Sequence, residues 1–141
     1  MQFDREAGQA MKQSIIVEID GKPFETSLRD DIAQHTCRAL RATLPIKGEI
    51  VHAMWSGPLC LMLDVNLGVP LENPVSFLST GDLIYHPFHH EIGVAYGPTQ
   101  FREPTGNAYV TFLGKLSGDL SHVQQVGSRL QRTGARPFGL R

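Results

Sequence analysis

The chain has 141 residues, 41% of them apolar and 19% charged, with a formal net charge of −1 when histidine is neutral. That length and balance suit one globular domain, which at this size buries roughly two-thirds of the surface its unfolded chain exposes. They exclude wholesale disorder, and the lack of a positive field argues against nucleic acid as a partner.

Residues 1–13 read as a polar N-terminal tail without the apolar core of a signal peptide, and residues 14–141 as the folded domain. No stretch approaches the roughly 18–20 apolar residues of a membrane span, so no membrane partner is expected and the expected setting is cytoplasmic. Order begins at Ser14. Ile15–Asp20 is rich in β-branched residues, Asp20-Gly21 supplies a tight hairpin turn, and Pro23–Thr26 begins the returning strand. A helix is expected over Asp30–Leu44. Ser27 and Asp30 resemble a capping box, and Leu28, Ile32, Thr36, Leu40 and Leu44 recur every four residues, with Ala33 and Cys37 beside them. Pro45 and Gly48 end it.

Four strand-like runs follow at Glu49–Trp55, Leu59–Asp64, Asp82–His86 and Glu91–Tyr96. Val65–Thr80 reads as a long ordered loop, of a kind that is more often functional than idle. A second loop, Phe101–Asn107, leads into the strand Tyr109–Leu113. A second helix is expected over Asp119–Leu130, and Ala135–Arg141 as a last strand pairing with Ile15–Asp20. Seven or eight short strands with two helices predict a mainly β fold that closes into a barrel, because closure removes unpaired edges. The two cysteines, Cys37 and Cys60, lie in apolar surroundings without metal-ligand spacing and read as buried thiols.

The series Trp55-Ser56-Gly57, Glu72-Asn73-Pro74, Gly81-Asp82-Leu83-Ile84-Tyr85 with Pro87, and Glu91-Ile92 with Ala95-Tyr96-Gly97 resembles a bacterial and archaeal family of uncharacterised cyclophilin-like barrel proteins. The resemblance spans about Ser14 to Arg141 and implies a closed eight-stranded β-barrel with helices over its ends. It implies no activity. The cyclophilin prolyl isomerases carry a Phe-His-Arg motif, whereas His52 here is followed by Ala53 and Met54, so isomerase activity is not expected. The same barrel occurs in amidohydrolase assemblies, and transfer of that function would be fold analogy alone.

For the site, aromatic side chains with a few polar groups are what a small-molecule pocket needs. The ligand-binding candidates are Trp55, Glu72, Tyr85, Phe88, Glu91 and Tyr96. Trp55 reads either as a core plug or as a stacking wall, and Glu72 either as a turn or cap residue or as a ligand contact. Tyr85 and Tyr96 are expected on one face of a hairpin, clustered with Trp55 at the barrel mouth, with Glu72 or Glu91 at the rim. The favoured function is a small-molecule-binding barrel, with no cofactor and homo-oligomerisation left open by the near-zero net charge. One alternative is an enzyme acting on amide-like or cyclic metabolites. Another is a metal-binding barrel built on the His86–Glu91 cluster, using His52, His86, His89 and His90.

Overall fold

In the computed structural model, which describes residues 14–141, Asp20 and Gly21 take positive φ of 48° and 85°. They close a two-residue turn between β1 (Ser14–Ile19) and β2 (Lys22–Leu28), with Ile19 opposite Lys22 and Ser14 opposite Ser27. Such a turn matches the right-handed twist of the strands it joins. The tail expected over residues 1–13 lies outside the described residues.

The remaining barrel strands are β3 (Ile46–His52), β4 (Leu59–Met62), β7 (Asp82–His86), β8 (Glu91–Ala95), β12 (Val110–Leu116) and β13 (Arg136–Leu140). Their order is β2-β1-β13-β3-β4-β8-β7-β12, every pair is antiparallel, and β12 pairs back onto β2 with Gly114 opposite Leu28. Eight strands therefore form a closed barrel without a free edge, as expected. The last strand pairs with the first, Val17 opposite Leu140. Short strands decorate this frame: β5 (Pro74–Val75) on β12, β6 (Phe77–Leu78) with β9 (Thr99–Gln100), and β10 (Arg102–Glu103) with β11 (Gly106–Asn107). The two expected loops, 65–80 and 101–107, thus contain two-residue strands too brief to carry an alternation signal.

Two helices occur among the described residues, α1 (Gln34–Thr43) and α2 (Ser121–Thr133), and neither is long and apolar enough to cross a membrane. Both bury their apolar stripe on the barrel interior, Cys37 and Leu40 from α1 and Val123, Val126 and Leu130 from α2. Inward-facing Val17, Ile19, Phe24, Ile50, Ile92 and Leu113 complete that core. Burial pushes both the Cys37 and Cys60 thiols up to about 12, so neither is poised as a nucleophile.

The first helix begins later than its apolar repeat predicts. Ser27 belongs to β2, and Ile32 sits 39% exposed in the turn before the helix. Asp30 binds the Arg41 guanidinium instead of capping. The N-cap position, Ala33, makes no side-chain cap. Glu72 supplies it from the long loop: its carboxylate accepts from the His35 N–H (3.1 Å), the Thr36 N–H (2.7 Å) and the Thr36 hydroxyl (2.7 Å). Burial works against the charge of Glu72, but these three donors outweigh it and hold the carboxyl below its ordinary range.

Glu72→Ala should cost about 1–2 kcal/mol at neutral pH, the usual effect of losing a helix cap. Because the folded pKa is depressed, this stabilisation is present above the unfolded value of about 4.3 and disappears as pH falls through the folded one. Urea titrations at pH 7 and at strongly acid pH check this. A wild-type advantage that does not shrink in acid would contradict it.

Candidate functional site

The outer face of the barrel wall carries a second apolar layer. Leu59, Ile84 and Ala95 point away from the interior and are covered by Leu78, Phe101 and Val110 from the segments laid across them. β7 is consequently buried on both faces. Beside this layer the wall opens into a cleft of about 320 Å³ between the loop that joins β3 to β4, the β7–β8 turn and β10. Trp55, Met54, Leu63 and Phe101 form its apolar sides, while His89, Glu91 and Glu103 supply polar groups. Trp55 is 52% exposed, so it is a wall rather than a core plug.

One buried hydroxyl ties the two sides together. Ser56 Oγ accepts from the Arg102 N–H at 2.9 Å and donates to the Arg102 carbonyl at 3.1 Å, and the Thr99 hydroxyl donates to the Ser56 carbonyl. Gly57, at φ 70°, lets the loop reverse directly after Ser56.

Beneath the cleft lies His86, with no exposed side-chain surface. Its Nδ1 accepts the His89 backbone N–H at 3.0 Å, so that nitrogen carries no proton. The ring proton therefore sits on Nε2, which donates to Glu103 Oε1 at 2.6 Å. The His89 ring stacks on His86 at 4.4 Å, and Phe101 packs against it at 5.2 Å. The outcome is a neutral, fixed imidazole that orients a carboxylate. Glu91 stands directly across the hairpin from His86. Burial pushes its carboxyl above the ordinary range.

A ring nitrogen each from His86 and His89 and a Glu103 oxygen lie within 4.8 Å of one another. An imidazole bound to a metal through one nitrogen donates an N–H from the other. Here the other nitrogen of His86 accepts, so coordination through Nε2 would require breaking the His89 bond. His52 is also engaged, with Nδ1 against the Ala53 carbonyl at 2.7 Å and Nε2 against the Tyr96 hydroxyl at 2.6 Å. His90 occupies the turn at φ 59°. The structure does not bring His52, His86, His89 and His90 together as one ligand set.

The six ligand candidates also separate. Trp55 and Glu91 share the cleft, and Phe88 lies edge-on to His86 at 5.8 Å with most of its surface in solvent. Tyr85 pairs with Ile92 and points, like Tyr96, to the interior side of the hairpin. Tyr85 is fully buried, its hydroxyl donating to the Val65 carbonyl (2.6 Å) and accepting from the Leu67 N–H (2.9 Å). Both tyrosines therefore lie across the barrel wall from Trp55, and Glu72 caps α1. The cleft is on the wall, not at a barrel mouth. Sequence reasoning missed Glu103, Phe101, Met54 and Leu63. The one available signal was Phe101, a large apolar residue opening an otherwise polar loop.

A model of a protein family of unknown function, DUF3830, matches residues 15–141. The chain belongs to the DUF3830 family. No curated protein matches this DUF3830 chain. Among solved structures, its fold is similar to that of McbB in complex with tryptophan, with a TM-score of 0.70 and 16% identity over 90% of the chain. The DUF3830 chain spans only 44% of McbB. A hypothetical protein of Archaeoglobus fulgidus, known from a solution structure, is similar over 91% of this chain and 92% of its own, with a TM-score of 0.58 and 17% identity. At these identities the likeness is one of fold, and it assigns no side chain of the cleft.

Glu91→Gln tests the electrostatics of the site. A carboxyl with a raised folded pKa favours folding below its unfolded value, and that contribution is lost as pH rises through the folded one. The variant should therefore melt above wild type at pH 8 and lose that advantage toward pH 4, by calorimetry. An advantage that grows in acid would contradict the assignment.

Proposed function

We propose that this protein is a cytoplasmic small-molecule-binding barrel that takes a small planar organic cation in the wall cleft, without prolyl isomerase activity. The observation that carries the reading is the Glu103 carboxylate, bound at 2.6 Å to a neutral, fully buried His86 and lining the same cleft as the Trp55 indole. A neutral donor orients the carboxylate without cancelling its charge. The apolar sides keep water from screening that charge fully, so a cation gains more there than at an open surface. The face of Trp55 attracts either a cation or an aromatic ring. The complex of the fold neighbour McbB with tryptophan, a zwitterion with an aromatic ring, supports a small aromatic ligand, and the charge preference rests on Glu103. Against isomerase activity stands the absence of a Phe-His-Arg motif around His52-Ala53-Met54.

Trp55 is the only tryptophan of the chain, so its fluorescence reports on the cleft alone. Titration with 2-aminoindane, a rigid planar ring with one ammonium group, should give a saturable fluorescence change. A flat titration to millimolar concentration overturns the reading. A proline-peptide assay with turnover at micromolar protein overturns the second clause.

A further inference from the structure

We infer that two copies of this chain associate through an open length of β3, Lys47 of each pairing with Glu49 of the other across a twofold axis at Gly48. The inference does not depend on what the cleft binds. Every strand of the barrel has two neighbours, but β3 outruns one of them. On one side it pairs with β13 along the whole of Ile46–Ile50. On the other, β4 reaches only Val51 and His52, with one further bond from the Ala53 N–H to the Leu59 carbonyl. Beyond Met62 the chain turns away, Asp64 taking φ 61°, and leaves a groove of about 630 Å³ beside Lys47, Gly48 and Glu49. All three residues are exposed.

The neighbouring ladder fixes where the main-chain groups of this stretch point. Ile16 and Arg141 exchange both hydrogen bonds, and the Asp20 N–H donates to the Pro137 carbonyl, so Pro137, Gly139 and Arg141 face β1. Arg136, Phe138 and Leu140 therefore face β3, and Ile50, Gly48 and Ile46 face them in return. Lys47 and Glu49 point into the groove, where neither the N–H nor the carbonyl of either has a partner among the described residues. Unpaired strand groups of this kind are a template for another strand. A second β3, running antiparallel and centred on Gly48, satisfies all of them. Lys47 exchanges both bonds with the partner's Glu49, and Glu49 exchanges both with the partner's Lys47. The contact is isologous, one patch serving both copies.

Charge selects this occupant. Two residues apart on a strand, the Lys47 and Glu49 side chains share its outer face, and antiparallel pairing sets each against its opposite. A lone lysine on an edge discourages pairing. Lysine and glutamate in this order complement themselves. Gly48, at the axis where the two chains approach most closely, brings no side chain to obstruct them. Leu63, 48% exposed at the groove, adds apolar surface to the contact.

Sedimentation equilibrium of the wild-type chain should show a dimer that dissociates on dilution, and amide exchange at Lys47 and Glu49 should slow as concentration rises. Lys47→Glu puts like charges opposite each other at both pairs and should weaken the dimer at least about tenfold. Glu49→Lys should do the same. Mixing the two variants makes every pair opposite again and should restore the dimer. The exchange measurement uses the wild type alone, so it stands even where a variant fails to fold. A wild type that stays monomeric to millimolar concentration overturns the inference, and slow Lys47 and Glu49 amides in that monomer would show the edge covered from within one chain. A dimer unmoved by either variant, or not recovered on mixing, overturns it by placing the interface elsewhere.

Discussion

Gly114→Ala should destabilise the barrel by about 3 kcal/mol, the upper part of the ordinary range for overpacking. Gly114 lies in β12 where that strand pairs with β2 on one side and β7 on the other, opposite Leu28 and Leu83. A Cβ there would fall far inside van der Waals contact distance of the Ser27 carbonyl oxygen. Both atoms belong to backbone held in ladders, so no side-chain rotation relieves the clash. The strands must separate at the seam that closes the barrel. In a domain of this size the loss corresponds to a fall in Tm of about 10 °C. Gly48→Ala is the control, because its new Cβ would meet only the terminal methyl of Met62, the end of a flexible side chain. Thermal melts of the two variants should differ clearly, and equal melting would remove the closure argument.

Glu103→Gln should weaken 2-aminoindane binding by a factor of about 30, or about 2 kcal/mol, the lower part of the range for removing one partner of a buried charge pair. The glutamine carbonyl can still accept the His86 proton, so the geometry of the wall is retained. What is lost is the charge. Indane, the same ring system without the ammonium group, should bind wild type and variant alike. Equal affinity of the amine for both proteins would show that Glu103 is not the counter-charge.

The parts of this fold that were legible in the sequence are those fixed by neighbours along the chain. Asp20-Gly21 announced its hairpin through turn chemistry, and the short turn after His86 fixed the register that sets Tyr85 opposite Ile92. The start of α1 was not legible. Its cap is a carboxylate 37 residues away from the His35 N–H it accepts, a distance that no local capping rule spans. The cleft was only half legible. Trp55 and Glu91 stand out by residue type, but their placement outside the wall depends on the segments that cross the outer faces of β7 and β8, and those segments read as loops. Glu103 lies in Arg102-Glu103-Pro104-Thr105-Gly106, which has the composition of any exposed turn. Only tertiary packing sets it against His86.

The paired hydrogen bonds of Ser56 to the Arg102 main chain bear on how tightly the cleft can hold anything. Loops that must be ordered by their ligand spend part of the interaction energy on their own immobilisation. Here the indole of Trp55 and the carboxylate of Glu103 are flanked by a covalent neighbour of the same clasp, Ser56 on one side and Arg102 on the other. The entropy of fixing the main chain that carries these two groups relative to each other is therefore lost during folding. The proposed ligand would meet a backbone frame already in place, so that less of its interaction energy goes into assembling the site.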